Sequence, residues 1–215
     1  MDWLKTLFCA LLGSDKGLIF RIYSALKLPI GSTNERRYPM GVPTPLTKDQ
    51  APAELHKIYD KIQESTGKMP NVLGVVARFP AALKTLIPFY DAVMSKGVID
   101  AKYKELAYLK TSSINDCRYW THHHTASAKQ AGVTDEQIEA LRFYQRSDAF
   151  DGKEKVTIRL ADIITRGATA VDADVLGYIG RYYSEDEIVE LTMVIALANL
   201  VNRINDSLQV QPDSE

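Results

Sequence analysis

The chain has 215 residues, of which 46% are hydrophobic and 25% are charged, and its formal net charge is -1. These proportions are typical of a globular chain with a sizeable core. A charge balance this close to neutral excludes a broad electrostatic surface for nucleic acid, so no nucleic-acid partner is expected. The length predicts one domain, or one domain with an extension.

The two cysteines, Cys9 and Cys117, lie far apart and do not show the spacing of a disulfide framework. We therefore expect a reduced, cytoplasmic setting. Lys5 interrupts the apolar stretch near the N-terminus and no small-residue cleavage site follows it, which disfavours a secretory signal. No apolar run approaches the ~20 residues that a membrane-spanning helix needs.

Residues 1–46 are predicted to form an N-terminal helical extension that ends in a proline-rich loop. Apolar residues recur at helical spacing over residues 4–12 and again over 18–26. Four prolines between Pro29 and Pro45 prevent regular structure there. We expect the two helices to pack on the core or on a neighbouring subunit. Membrane contact through residues 1–28 is the less favoured alternative, because no polar face rich in lysine and arginine accompanies the apolar one.

Residues 47–215 are predicted to form a single all-α domain, an irregular helical bundle. The pairs Thr134 with Gln137 and Ser184 with Glu187 have the spacing of capping boxes at helix N-termini. No stretch shows the sustained alternation of a β-strand. Periodicity and capping signals predict helices over residues 51–65, 80–96, 100–113, 117–131, 134–144, 153–166, 172–182 and 184–208.

Residues 105–132 carry the densest set of reactive side chains. The short connection at Asn115 and Asp116 predicts that the helices on either side of it are antiparallel neighbours. Glu105 lies ten residues before Asn115 and His124 lies nine residues after it. Side chains equidistant from such a turn lie at the same height, so the carboxylate and the imidazole are expected to approach each other. In that arrangement Glu105 can orient the imidazole and accept its proton.

Cys117, Trp120 and His124 have the spacing i, i+3 and i+7, which places them on one helix face. Cys117 is expected in the first helical turn, where unpaired backbone N–H groups favour an anion and should lower the thiol pKa. Two turns, about 10 Å, separate the thiol from the imidazole. The alternatives are a buried structural cysteine, a solvated Glu105 and histidines on a polar surface.

The spacing of Glu105, Cys117, Trp120 and His124 resembles the active-site motif of the AhpD-like/carboxymuconolactone decarboxylase family. The family has a second cysteine at the position of Trp120. The surrounding segments, residues 115–119 and 131–133, are also similar, and the resemblance covers about residues 45–210. It implies an all-α AhpD-like bundle. The loss of the second motif cysteine excludes a disulfide cycle within the motif.

Three functions are compatible with this resemblance. The first is a peroxidase-like antioxidant oxidoreductase, with Cys117 as nucleophile, His124 as acid/base and Glu105 as its orienter. The second is a lyase or isomerase of the carboxymuconolactone decarboxylase type that needs no cofactor and uses His124 and Glu105. The third is a member without enzymatic activity that binds a ligand or partner. Trp120 weakens the first hypothesis and is neutral for the other two.

The candidate ligand-binding residues are Tyr119, Trp120, His122 and Arg203. Trp120 is expected to form a flat apolar wall that suits an aromatic or an extended apolar ligand. His122 is expected at the edge of the crevice and His123 on the exposed side away from Trp120. Consecutive helical histidines point about 100° apart, so no metal site is expected, and no cofactor.

Arg203 and its asparagine neighbours are expected to form a buried packing network, with an anion-binding patch as the alternative. The resemblance also implies a small-molecule substrate and a homo-oligomer, a trimer or a hexamer.

Overall fold

A computed structural model describes residues 42–95 and 97–213. The predicted extension therefore lies outside the described residues up to Gly41. Within those ranges the chain forms nine α-helices, four short 3-10 helices and no strand, so the all-α prediction is confirmed. Among the same residues, no helix combines the length and the apolar character needed to cross a membrane.

The α-helices have lengths from six to 23 residues. In chain order they are α1 His56–Thr66, α2 Asn71–Val76, α3 Pro80–Met94, α4 Ala101–Ile114, α5 Arg118–Gln130, α6 Asp135–Ala140, α7 Gly152–Gly167, α8 Ala173–Ile179 and α9 Glu185–Ser207.

Most predicted helices are present, and the differences occur at their ends. Before α1, residues 53–55 form a 3-10 turn and residues 51 and 52 are not helical, and residues 141–143 form another 3-10 turn after α6. The helix predicted over 172–182 ends at Ile179. Sequence analysis missed α2, because a six-residue helix with consecutive apolar residues shows no period of its own. Both predicted capping boxes are present, at Thr134 and at Ser184.

Helix α4 lies at the centre of the bundle and packs against α5, α7 and α9. Residues 104–112 of this helix are all buried, including the polar side chains of Lys104 and Lys110. Asp100 begins the helix, since its carboxylate accepts the backbone N–H of Lys102 at 2.9 Å. A helix buried on every side holds its side chains in fixed positions, and this places Glu105 rigidly in the interior.

The turn between α4 and α5 makes the two helices antiparallel neighbours, as predicted. Asp116 adopts the left-handed conformation with φ 55, which aspartate tolerates better than most residues. The side chain of Asn115 donates to Asn202 at 3.0 Å and to Asn199 at 3.2 Å, both on α9. Asn202 in turn donates to Ser112 at 3.2 Å. This partly buried amide network agrees with the packing role expected of the α9 asparagines, and it holds the turn against α9. Arg203, which was expected in the same buried network, is exposed.

Lys104 holds the end of α3 against α4 and α9. Its ammonium group donates to the backbone oxygens of Val93 at 2.8 Å and Ser95 at 2.6 Å, and it pairs with the carboxylate of Glu190. Glu190 also accepts the backbone N–H of Val98 at 2.8 Å. A buried ammonium with three partners of this kind is well compensated for the loss of water. The contact therefore fixes α3 beside Glu105.

Candidate active site

Glu105 and His124 meet across the α4–α5 hairpin. The imidazole Nδ1 lies 2.7 Å from the Glu105 Oε2, and both side chains are buried. The prediction that the two side chains approach within hydrogen-bonding distance is therefore confirmed. Their catalytic role stays a prediction.

Tyr90 of α3 completes a chain of three side chains. Its hydroxyl lies 2.9 Å from His124 Nε2. Burial, followed by the nearby charge of Glu105, raises the pKa of Tyr90 well above its ordinary value. The hydroxyl therefore keeps its proton near neutral pH and donates it to Nε2. His124 then carries its own proton on Nδ1 and donates it to the Glu105 carboxylate, which fixes the tautomer.

Aromatic rings hold the imidazole in place. The Tyr108 ring stacks on His124 with centroids 3.4 Å apart and planes 14° apart. Trp120 lies on another side of the imidazole, at a centroid distance of 5.7 Å. The Trp120 indole N–H donates to the Val201 backbone oxygen at 3.2 Å, which fixes the indole on α9. The imidazole therefore has little freedom to change its orientation.

A cavity of about 810 Å³ opens beside this chain of side chains. Tyr90, Glu105 and His124 line it, and Trp120 forms part of its wall, as expected for a flat apolar surface. Most of the remaining wall is apolar and comes from four helices: Ile58, Ile62, Leu73, Leu86, Ile87 and Val201 are among the lining residues. A largely apolar cavity with a few convergent polar groups is typical of a small-molecule site.

Cys117 is not part of this cavity. The residue precedes α5 as its N-cap, its exposed fraction is 1%, and it lies at the wall of a second cavity of about 430 Å³. Burial, together with a hydrogen bond to Asp206, raises the pKa of the thiol to about 12. The expectation of a lowered thiol pKa is therefore wrong. The backbone N–H groups of Tyr119 and Trp120 do favour the thiolate, but desolvation outweighs them.

His122 and His123 have exchanged the places expected from the sequence. His122 is exposed and lies at the second cavity, whereas His123 lines the large cavity with His124. The spacing i, i+3 from Trp120 to His123 signals this shared face, and the expectation overlooked it. Burial lowers the pKa of His123, and the nearby Asp213 carboxylate partly opposes the shift.

Asp213 is a further residue that sequence analysis missed. Its carboxylate Oδ2 lies 3.0 Å from His123 Nε2 and accepts the Tyr119 hydroxyl at 2.8 Å. Its Oδ1 accepts the backbone N–H of Asn71 at 2.7 Å. No local pattern could identify a partner that lies about 90 residues away in sequence. This contact ties the end of the described chain to α2 and α5.

The remaining candidate binding residues have different positions. Tyr119 is buried and lines the large cavity, as a ligand-contacting role requires. Arg203 is exposed and lines neither cavity, and its guanidinium donates to the backbone and side-chain oxygens of Asn199 one turn earlier on α9. The expectation that Arg203 belongs to the ligand site is therefore not met. Within residues 42–95 and 97–213, no three histidine, cysteine or acidic side chains are grouped as metal ligands.

Comparison with known proteins agrees with this architecture. Residues 80–163 match the model of the carboxymuconolactone decarboxylase family. Over this segment the chain is similar to the carboxymuconolactone decarboxylase family. Bacillus subtilis (strain 168) YdfG, an uncharacterised protein, is 27% identical over 127 residues, which cover 59% of this chain and 86% of YdfG.

Solved structures of family-like proteins share the fold at low identity. A peroxidase-related protein from Silicibacter sp. TM1040 matches with a TM-score of 0.71 and 23% identity, covering 81% of this chain and 94% of that one. An AhpD-core, peroxidase-related protein from Ralstonia eutropha JMP134 matches at 0.71 and 17%, with 81% and 92% covered. The debrominase Bmp8 in complex with 2,3,4-tribromopyrrole matches at 0.69 and 21%, with 81% and 93% covered.

Proposed function

We propose that this protein is a cofactor-independent lyase or isomerase that moves protons on a small organic substrate in the large cavity. The observation that carries the proposal is the continuous hydrogen-bonded chain from Tyr90 through His124 to Glu105. Its outer group, the Tyr90 hydroxyl, belongs to a residue that lines the cavity. Its inner group, the carboxylate, can balance the charge of a protonated imidazole.

The chain of side chains supports a reaction without electron transfer. When the substrate loses a proton from carbon, the Tyr90 oxygen accepts it while the Tyr90 proton passes to His124 Nε2. Glu105 then stabilises the imidazolium through the Nδ1 hydrogen bond. The reverse transfer returns a proton to a different carbon in an isomerisation. In a decarboxylation, Tyr90 instead delivers a proton to the carbanion that departing CO₂ leaves behind, and a water molecule then returns a proton to the Tyr90 oxygen.

The wall of the cavity supports a flat or apolar substrate. Trp120 and the aliphatic side chains around it give the reacting groups a largely apolar surrounding, and this strengthens the electrostatic interactions between them. The debrominase Bmp8, which has the same fold, was crystallised with 2,3,4-tribromopyrrole, a flat halogenated ring. We infer that this chain accepts a ring or an extended conjugated compound.

The thiol oxidoreductase is the second candidate, since two solved structures of the same fold are named peroxidase-related. The position of Cys117 disfavours it. A buried thiol with a pKa of about 12 has very little thiolate at neutral pH, and it lies outside the cavity that His124 lines. The thiol oxidoreductase therefore requires Cys117, whereas the lyase or isomerase requires Tyr90 and His124.

Deuterium exchange tests the proposal directly. A panel of lactones, β-keto acids and conjugated ring acids would be incubated with the protein in D₂O, and NMR would record deuterium at carbon or loss of the carboxyl group. Tyr90→Phe and His124→Gln should lower the rate by about 10²-fold or more, in the range of general acid–base catalysis. Cys117→Ala should retain the wild-type rate. The surface variant Tyr182→Phe is the matched control for Tyr90→Phe.

A peroxide turnover assay tests the competing thiol oxidoreductase. If wild-type protein reduces an alkyl hydroperoxide in the presence of a thiol reductant, and Cys117→Ala removes that activity, the thiol proposal replaces the present one. If neither the carbon acids nor the peroxide reacts and a panel compound still binds, the chain is a ligand-binding protein.

A further inference from the structure

Helix α9 carries an exposed apolar stripe over residues 189–200. Val189, Met193 and Leu200 are 63%, 38% and 45% exposed, and Ala196 between them is also exposed. The intervals alternate between four and three residues, as in a heptad repeat, and this alternation places side chains on one seam between two helices. The opposite face of the same helix is buried in the core: Leu191, Val194, Ile195, Leu197 and Ala198.

A charged residue continues the stripe at each end. Asp186 lies seven residues before Met193, and Arg203 lies seven residues after Ala196, so both extend the same 3.5-residue repeat. Both side chains are exposed. Arg203 donates to Asn199 on its own helix and carries no assigned role in the large cavity.

One way of pairing two such stripes places apolar side chains against apolar ones and opposite charges against each other. In an antiparallel pair about a two-fold axis, residue i faces residue j and residue j faces residue i. When Met193 faces Ala196 of a second copy, Val189 faces Leu200 and Asp186 faces Arg203 of that copy. Large side chains then meet smaller ones in the middle, and opposite charges meet at both ends. A parallel pairing would instead place Asp186 against Asp186 and Arg203 against Arg203.

We propose that the α9 stripe is a self-association surface that a second copy of this chain occupies in the antiparallel register. Opposite charges at the ends select this register, because a parallel pair or a shifted pair would oppose like charges or bury a charge against an apolar side chain. Val98 is also 59% exposed, and its backbone N–H donates to the Glu190 carboxylate of α9. The inference is independent of the proposed function.

The symmetry of the pairing restricts the assembly. A two-fold interface uses the same patch on both partners, so it builds assemblies with an even number of chains. A hexamer built from such pairs contains the interface, whereas a simple three-fold ring does not. Of the trimer and the hexamer expected from the family resemblance, the stripe therefore favours the hexamer, with the dimer as its unit.

A charge exchange tests the register in the full-length protein. Sedimentation equilibrium should give wild-type masses that are even multiples of the 24.0 kDa chain. Arg203→Asp and Asp186→Arg each place like charges together at both ends, and each should weaken the pair by about 10-fold or more. The double variant restores opposite charges, so its dissociation constant should return to within about three-fold of wild type.

Matched controls separate the pairing from general effects of charge. Glu185→Arg reverses a negative charge one residue away from the stripe, as a control for Asp186→Arg. Arg146→Asp reverses a positive charge on an exposed loop, as a control for Arg203→Asp. Neither control should change the mass of the assembly. A monomeric or three-fold wild type would overturn the proposal. Single variants without effect, or a double variant that stays dissociated, would overturn it as well.

Discussion

Cys117 and His124 belong to the same short segment, yet they face different cavities. The thiol lies at the wall of the smaller one with an exposed fraction of 1%, and the imidazole lines the larger one with its Nδ1 2.7 Å from Glu105. Trp120, which replaces the second cysteine of the family motif, forms part of the larger cavity's wall. This separation leaves the imidazole and the carboxylate, without the thiol, in the wall of the large cavity.

The raised pKa of Cys117 should be visible in the pH dependence of stability. The folded-state pKa of about 12 exceeds the ordinary value of 9.0, so the folded protein keeps the thiol proton when the unfolded chain loses it. The stabilisation is complete below pH 9 and is lost as the pH rises towards 12. Between about pH 8.5 and 10 the free energy of unfolding should fall by about 1 kcal/mol from this group alone.

Urea unfolding of the Cys9→Ser protein and of Cys9→Ser/Cys117→Ala across that pH range measures this contribution. The double variant should lack it. Tyrosines with raised pKa values, such as Tyr90 and Tyr119, add to the alkaline loss only above about pH 10, because their ordinary pKa is 10.0. Equal slopes for the two proteins would mean that the thiol titrates normally.

The sequence predicted the relation of Glu105 to His124 because that relation depends only on helix geometry and a short turn. It did not predict the state of Cys117, because two opposing effects act there. The helix N-terminus favours the thiolate, and desolvation opposes it, with a magnitude that depends on side chains from α9 such as Asp206. Burial of this kind depends on tertiary packing and leaves no local signal.

Tyr90 shows a second limit of sequence analysis. Its apolar neighbours at helical spacing identified it as one more core position of α3, and the fold does bury part of it. Only the packing of α3 on the α4–α5 hairpin brings its hydroxyl to His124. His123 differs, because its spacing from Trp120 was present in the sequence and the helix-face argument was applied incorrectly.

The buried pair of Glu105 and His124 should show strong energetic coupling. Glu105→Ala leaves the Nδ1–H of His124 without its acceptor, and His124→Ala leaves a buried carboxylate without its donor. Each should lower the free energy of unfolding by about 3 kcal/mol. Because the double variant loses the interaction only once, the coupling energy should be about 1–3 kcal/mol.

An exposed ion pair supplies the control for that double-mutant cycle. Lys129 and Asp135 lie 2.5 Å apart, but their side chains are 48% and 75% exposed. Water and salt screen such a pair, so its coupling should be at most about 1 kcal/mol. Chemical denaturation of both sets of variants gives the comparison. Equal coupling in the two cycles would contradict the buried, hydrogen-bonded geometry of the Glu105–His124 pair.

Asp213 should control the protonation of His123. Burial lowers the His123 pKa and the Asp213 charge raises it, so Asp213→Asn should lower the pKa further. An NMR titration of the imidazole resonances would record the shift, with the exposed Asp148→Asn as the matched control. An unchanged His123 pKa would show that the carboxylate does not stay within 3.0 Å of the ring in solution.

Trp120→Cys should restore the family's pair of cysteines next to His124. Position 120 lies one helical turn from His124, and the indole it now carries has its centroid 5.7 Å from the imidazole. A thiol there would line the cavity and have His124 as a nearby base. Cys117 is the N-cap residue with an extended backbone, φ -82 and ψ 98, and it lies outside the helix. A disulfide between the two positions can therefore form without unwinding an established turn.

The variant should gain dithiol-dependent hydroperoxide turnover that the wild type lacks, and adding Glu105→Gln or His124→Gln should remove the gain. Loss of the buried indole should cost about 3–5 kcal/mol, so thermal unfolding must show that the variant is folded. Trp120→Phe supplies the control for repacking, because it changes the wall without adding a thiol. A folded Trp120→Cys protein with reactive thiols and no peroxide turnover would mean that His124 and Glu105 do not support thiol chemistry even beside a thiol. Their role would then be confined to proton transfer at carbon or to ligand binding.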